Sequence, residues 1–476
     1  MIKKIIILCF ALIFLLSGCS DIANNPVNNE GESKDSFIRD MNGYEFIFKA
    51  FHHVPNKPDL APEVSETDRG DKMLKRYSDA EKDMNCTVKV EVHASDWSSD
   101  SGELSGNLAA SIKFADLYDT TGIVIAANLE KLFRPYNHEE NNVLKLDSGK
   151  WGTVAERAAL TTPDGYVYGI RPSYWGVPYP AFKAMLFFNP RILQNANQPD
   201  PFALIEQKQW NWESFENILK GVTVTTDNDE NDIYGLVSTT NCMFFYGAVR
   251  ANGANPVYFD KTTNKFEYGL KDPNAIQALD WVHKLIYEDK TCEYVNDWWQ
   301  KGSHGFVTGR YAFCAEYSWL GFMTGDDHYA TEMEEPFGWL PFPVGPNGIY
   351  GNWGGDITDD VRFLGLPVTP DGEYEKALAI MEYIFEPLDG ETKDTWKEDF
   401  KHNFFYEDNS FKYLMEMYEN SVPDYSTLLN SALRSDKGVL GAYQRILANR
   451  ETPAEAAEKI ESFVNTELEN LNNKYE

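Results

Sequence analysis

Two segments with too much glycine and proline for a helix carry tryptophans, Trp175 in residues 174–179 and Trp353 in residues 352–356. An aromatic ring can cover the C–H face of a sugar, while carboxylate, amide and guanidinium groups hydrogen-bond the hydroxyls at its rim. Aromatic residues make up 14% of the chain, enough for a large core with rings left over for a site. We therefore expect both tryptophans to contact a ligand, the alternative being a packing role.

Five charged residues form a second group of candidate ligand contacts. They are Asp116, Asp119, Arg171, Glu316 and Asp356. Each can hydrogen-bond a hydroxyl group, and the alternative for each is a cap or a salt bridge. Trp97, Trp298 and Trp299 are further aromatic candidates that no motif positions.

The sequence gives little evidence for a catalytic or metal site. The sequence contains no G-x-S-x-G, no H-E-x-x-H and no G-x-x-x-x-G-K-[ST]. We predict a protein that is not an enzyme and uses no cofactor. With 74 acidic residues, composition alone leaves a glycosidase carboxylate pair open.

Residues 227–232 resemble the start of a calcium loop but depart from it. Asp227, Asp229 and Asn231 alternate as oxygen ligands would, but Asp232 stands where the loop needs glycine. Ser238 stands where the loop needs a bidentate acid. We predict a solvated acidic turn and no metal site.

The N-terminus predicts export and lipid attachment. Lys3 and Lys4 precede an apolar run over residues 5–16, too short to span a bilayer and typical of a signal peptide over residues 1–18. Leu16-Ser17-Gly18-Cys19 resembles the lipobox of bacterial lipoproteins, in which the cysteine carries the lipid. Residues 19–41 are polar and predict a flexible tether.

The net charge and the cysteine content limit the classes of partner and metal that the chain could bind. A formal charge of −31 disfavours nucleic acid and anionic lipid surfaces as partners. The remaining thiols of the body have no C-x-x-C spacing, which disfavours zinc. They are Cys86, Cys242, Cys292 and Cys314. One disulfide and four buried free thiols both stay open.

Alternating strand and helix patterns predict an α/β fold. Residues 44–50 and 87–92 read as strands, and residues 68–85 and 103–114 as helices. This order is typical of a parallel sheet covered by helices.

Seven segments in order then resemble family 1 of the bacterial extracellular solute-binding proteins, the sugar-binding-protein-like group. They are residues 115–117 (ADL), 165–170 (GYVYGI), 185–191 (MLFFNPR), 210–215 (WNWESF), 232–236 (DIYGL), 309–319 (GRYAFCAEYSW) and 452–457 (TPAEAA). At Tyr317 and Trp319 this family often places an aromatic residue that faces the ligand. The resemblance therefore adds these two residues to the candidates.

The resemblance implies a two-lobed periplasmic-binding-protein-like fold of type II, with mixed sheets and a ligand cleft between the lobes. The first lobe is expected over residues 42–185 and 364–418, and the second over residues 186–363 and 419–476. Crossing segments are expected near residues 184–189, 363–367 and 416–423.

The function implied is that of a monomeric lipoprotein on the extracytoplasmic face of the cell membrane. It would deliver a carbohydrate, or another small polar solute, to the permease subunits of an ABC transporter. An anchored glycan-degrading enzyme and a sensor for a receptor kinase are the alternatives.

Overall fold

Fourteen strands and sixteen α-helices can be followed in the computed structural model, which describes residues 39–51, 68–93, 97–129, 131–138, 143–172, 180–226, 232–322, 328–357, 361–426 and 431–475. The strands are β1 Tyr44–Phe51, β2 Cys86–His93, β3 Leu117–Thr121, β4 Phe133–Arg134, β5 Met185–Phe188, β6 Tyr234–Thr239, β7 Val257–Asp260, β8 Lys265–Tyr268, β9 Cys292–Val295, β10 Tyr311–Glu316, β11 Gly338–Leu340, β12 Asp356–Ile357, β13 Arg362–Pro367 and β14 Val422–Pro423.

The helices cover these strands. They are α1 Asp68–Met84, α2 Trp97–Ala109, α3 Gly122–Ala127, α4 Val154–Ala159, α5 Pro190–Asn195, α6 Pro201–Glu206, α7 Trp212–Val222, α8 Met243–Ala251, α9 Pro273–Tyr287, α10 His304–Val307, α11 Tyr329–Glu332, α12 Tyr374–Ile384, α13 Thr395–Phe404, α14 Asp408–Glu419, α15 Val439–Leu447 and α16 Pro453–Lys474. In the described ranges, no helix combines the length and the apolar character that a membrane span requires.

The first sheet has the strand order β2-β1-β3-β13-β4. Strands β2 and β3 pair with β1 in parallel, and β13 is antiparallel to β3. Phe46 and Phe48 of β1 are buried because helices cover the sheet. On α1, Met73, Tyr77 and Ala80 are buried at helical spacing, so this helix packs its apolar stripe inward.

The second sheet has the order β11-β5-β10-β6-β9. Strands β6, β9 and β10 are parallel, whereas β5 runs antiparallel between β10 and β11. Its core is aromatic: Phe313 of β10 lies 5.0 Å from Phe215 of α7 between ring centroids. The two sheets therefore share one plan: four strands run in the same direction, and one antiparallel strand lies between the third and the last of them.

Three chain segments run side by side between the sheets. Strands β12 and β14 pair in parallel, and the Lys183 amide, just before β5, donates to the Asp356 carbonyl at 2.9 Å. Gly355 is required here because a Cβ atom at this position would lie 2.1 Å from the Phe182 ring. We call residues 182–184, 355–357 and 421–424 the crossing segments.

These observations confirm the predicted α/β class and the predicted elements at β1, α1 and β2. The helix predicted over residues 103–114 begins earlier and ends earlier, as α2. The predicted crossings at residues 184–189 and 363–367 overlap β5 and β13. These two strands belong to the sheets and lie next to the crossing segments.

Helix α14 packs on β11 of the second sheet, where Ser410 Oγ accepts a hydrogen bond from the Trp339 amide. The lobe boundaries remain a prediction.

Candidate ligand-binding site

The carboxyl ends of β6, β9 and β10 meet at one edge of the second sheet because these strands are parallel. In open α/β sheets this edge is where ligands bind. The residues that follow the three strands are residues 240–241, 296–299 and 317–319. We call this the carboxyl edge.

An aromatic cluster, defined as Tyr317, Trp298, Trp299, Trp319 and His328, lies at the carboxyl edge. Trp319 stacks on Tyr317 with ring centroids 5.8 Å apart and on Trp299 at 6.4 Å, with interplanar angles of 20° and 28°. Trp298 meets Trp319 edge to face at 6.4 Å, and His328 lies 5.5 Å from Trp319. All five are half-buried, so each ring keeps surface open to solvent.

Local hydrogen bonds hold the cluster. Asp297 Oδ1 accepts from the amides of Trp299 and Gln300, which caps the π-helical turn that carries the paired tryptophans. Ser318 Oγ accepts from the buried Phe182 amide at 2.8 Å, which ties the Trp319 segment to the first crossing segment. The aromatic surface is therefore coupled to the part of the chain that joins the sheets.

A 3-10 turn links this edge to a helix beside the first sheet. Arg434, in a 3-10 turn over Ser431–Arg434, donates to the Tyr317 hydroxyl at 3.5 Å. That turn also contacts α3, which follows β3 of the first sheet. Residues 52–67 and 94–96, which follow β1 and β2, lie outside the described ranges.

Glu316 is the last residue of β10 and is fully buried. Its Oε1 accepts from the Thr239 hydroxyl at 2.6 Å, and its Oε2 accepts from Asn241 Nδ2 at 3.2 Å. Burial raises the pKa of Glu316 to about 7, although these hydrogen bonds lower it. The carboxyl group thus lies beneath the edge rather than on it.

A buried ionic network joins the crossing segments. Lys183 Nζ lies 2.8 Å from Asp424 Oδ2, and both side chains are 5% exposed. Arg250 of α8 pairs with Asp356, whose pKa burial raises to about 6. Burial alone would raise the pKa of Asp424, but Lys183 holds it below its ordinary value.

Trp353 lies beside this network. It is 6% exposed and packs edge to face on Tyr350 at 5.1 Å. With Arg250 and Asp356 it lines a cavity of about 300 Å³. The structure therefore brings together Trp353 and Asp356, and separately Tyr317, Trp319 and Glu316.

The remaining charged candidates have buried protein partners. Asp116 accepts from the Tyr44 hydroxyl at 2.6 Å and the Ile47 amide at 2.8 Å, and burial raises its pKa. Asp119 pairs with Arg362 at 2.8 Å. Arg171 lies 2.8 Å from Glu156, and neither side chain is exposed. These contacts favour the salt-bridge alternative.

Several expectations concern residues outside the described ranges. They are Trp175, the lipobox with Cys19, the signal peptide, most of the tether and Asp227 to Asn231 of the acidic turn. In the described part of the chain, no three His, Cys, Asp or Glu residues are grouped to hold a metal ion. All four thiols of the body are buried and free.

The sequence reasoning missed Asn241, His328 and Arg434 at this edge. Asn241 comes two residues after the end of β6, so the rule that parallel strands place their carboxyl ends together could have found it. His328 and Arg434 carry no comparable signal, because only the packing of distant segments brings them to Trp319 and Tyr317.

Comparison with proteins of known structure supports the assignment of the fold. No protein-family model matches the sequence, and no curated protein matches it either. The GacH receptor of Streptomyces glaucescens, described unliganded and with acarbose, is similar with a TM-score of 0.59 at 14% identity over 90% of this chain and 99% of that chain. The cyclic alpha-maltosyl-1,6-maltose binding protein of Arthrobacter globiformis has a TM-score of 0.62 at 14% identity, over 90% of this chain and 100% of that chain.

A third similar structure binds a different solute. UgpB of Mycobacterium tuberculosis, in complex with glycerophosphocholine, has a TM-score of 0.58 at 14% identity, over 90% of this chain and 98% of that one. The chain thus has the two-lobed α/β fold of ABC substrate-binding proteins, which confirms the predicted fold class.

Proposed function

We propose that this chain is an extracytoplasmic solute-binding protein that captures an oligosaccharide between its two sheets and delivers it to an ABC permease. The observation that carries the proposal is the aromatic cluster at the carboxyl edge. Half-buried rings of this kind cover the C–H faces of sugars, and the edge lies where α/β sheets bind ligands. Similar structures hold acarbose, but also glycerophosphocholine, so the fold alone does not select a sugar.

Trp319 and Tyr317 are proposed to form the stacking surface, with Trp298 and Trp299 extending it. Trp353 and Asp356 are proposed to act at the crossing segments, and Trp175 stays a candidate from its sequence context. Glu316 is placed beneath the surface, where it orients Thr239 and Asn241. Buried pairing makes Asp116, Asp119 and Arg171 structural residues in this proposal.

The lipobox supports a lipid anchor at Cys19 on the outer face of the cell membrane. Export of the full chain in a bacterial host, followed by detergent phase separation, tests it. The wild type should partition into the detergent phase, and the Cys19→Ala variant should not reach it. A wild-type chain found only in the aqueous phase would contradict the anchor.

A thermal-shift screen of the soluble body against a glycan panel tests the binding proposal. A ligand that binds only the native state raises apparent stability by mass action, by about 2.7 kcal/mol at a hundredfold excess over Kd. Maltotetraose, maltose and acarbose are the first probes. New reducing ends on incubation with glycans would instead favour a glycan-degrading enzyme, and co-purification with a kinase a sensor.

A further inference from the structure

The Glu316 carboxyl group combines full burial with a small set of hydrogen-bond donors. Its side-chain donors are the Thr239 hydroxyl and the Asn241 amide, both at the carboxyl end of β6. No ion pair to Glu316 occurs among the described residues. Asn241 itself is half-buried, and its Nδ2 group donates to the buried acid.

The chemistry of the two groups determines how the Asn241 amide is oriented. An ionised carboxylate only accepts hydrogen bonds, so the Nδ2 group of Asn241 must face Glu316. The Oδ1 atom then points away from the acid and is available as an acceptor. A neutral carboxyl group can donate its proton, so it permits the reversed amide, with Nδ2 available as a donor.

We propose that Glu316 is a positioning residue whose charge state selects whether Asn241 offers an acceptor or a donor to a bound solute. The inference rests on the proposed function only in taking the carboxyl edge as the solute site. It assigns a specificity role to Asn241, beside the stacking surface, and makes solute recognition depend on pH.

Burial keeps the neighbouring thiols and the neighbouring tyrosine protonated near neutrality. Burial raises the pKa of the Cys242 thiol at the start of α8 and of the Cys314 thiol in β10. Burial also raises the pKa of Tyr329 in α11. Lys183 is paired with Asp424, and His304 of α10 is exposed to solvent. Since the pKa of Glu316 itself is raised to about 7, both of its charge states occur in ordinary buffers.

The first experiment needs no ligand. In deuterated protein with ¹⁵N-labelled asparagine, the Asn241 side-chain signals should titrate with a midpoint near 7. Glu316→Gln should abolish this titration, because the replacement amide has no proton to lose. Glu293→Gln is the matched control: that acid pairs with Arg310 on the same sheet and should leave the Asn241 titration intact. Signals that do not titrate, or that still titrate in Glu316→Gln, would overturn the proposal.

The second experiment separates this inference from the proposed function. Maltotetraose affinity of the wild type should change about 3- to 10-fold across the Glu316 titration, and Glu316→Gln should lose this part of the pH profile. The same profile in Glu316→Gln and the wild type would contradict the role of Glu316. If maltotetraose does not bind, or if Trp319→Ala keeps the affinity of the wild type, the result counts against the proposed site. The Asn241 titration needs no ligand and tests the role of Glu316 in either case.

Discussion

At the scale of single residues, the ring of Trp319 connects most of the site. It contacts Tyr317, Trp298, Trp299 and His328, while the segment that carries it is bonded to the first crossing segment through Ser318. The environment of Trp353 is different from that of Trp319, since Trp353 is almost fully buried beside the ionic network. Truncating either residue removes aromatic area, but only Trp319 offers that area at the carboxyl edge.

Trp319→Ala should weaken oligosaccharide binding about 5- to 150-fold, because losing one stacking ring costs about 1–3 kcal/mol. Isothermal titration with the best glycan of the screen measures the change, and circular dichroism checks that the fold is intact. Tyr258→Ala provides the control: this tyrosine is 39% exposed on the β7–β8 hairpin and should leave affinity unchanged. Equal affinity in Trp319→Ala and the wild type would show that the stacking surface lies elsewhere.

At the scale of elements, the crossing segments are held by charge as well as by backbone pairing. Lys183 and Asp424 come from the first and third segments and are both buried, and Asp356 from the second pairs with Arg250. Lys183 also lies 3.5 Å from the centroid of the Tyr246 ring in α8. Removing one member would leave its partner charged and out of contact with water.

Lys183→Met should lower the free energy of unfolding by about 3–5 kcal/mol, because Asp424 loses its buried counter-charge. Urea unfolding monitored by circular dichroism gives this value. The double variant Lys183→Met/Asp424→Leu should recover most of the loss, since no buried charge remains unpaired. Lys271→Met, which removes a half-exposed partner of Glu461, should change stability by less than about 1 kcal/mol. Equal losses in the single and double variants would show that packing, and not charge, determines the effect.

At the scale of the whole molecule, buried acids make stability depend on pH. Glu316 has its pKa raised to about 7 from 4.5, and Asp356 has its pKa raised to about 6 from 3.8. Since folding raises both values, each acid stabilises the folded state fully below its unfolded pKa. That stabilisation is lost as pH rises through the folded pKa.

Glu316→Gln should therefore gain stability relative to the wild type as the pH rises from about 4.5 to about 7. The relative gain should reach on the order of 3 kcal/mol, since each pH unit is worth about 1.4 kcal/mol. Urea unfolding of both proteins at stepped pH measures the difference, which cancels the contribution of all other acids. A difference that stays constant over this range would show that Glu316 does not hold its proton in the folded state.

Local sequence patterns were sufficient to predict the α/β class and the early elements β1, α1 and β2, and the family resemblance pointed to Tyr317 and Trp319 as candidates. These follow from local information: apolar spacing predicts strands and helices, and an ordered series of short motifs carries the family resemblance. The charged candidates were chosen by residue type alone. The type of a residue does not show whether its carboxylate contacts a guanidinium group or a solute. Asp119 is an example, because it pairs with Arg362.

Which distant residues come into contact depends on the tertiary structure. Lys183, Arg250, Asp356 and Asp424 form one network although up to 241 positions separate a bonded pair, and nothing in their neighbouring sequence indicates it. The same holds for His328 beside Trp319 and for Asn241 above Glu316. Such contacts arise because sheet order and crossing geometry juxtapose segments, and these depend on packing over the whole chain rather than on local sequence pattern.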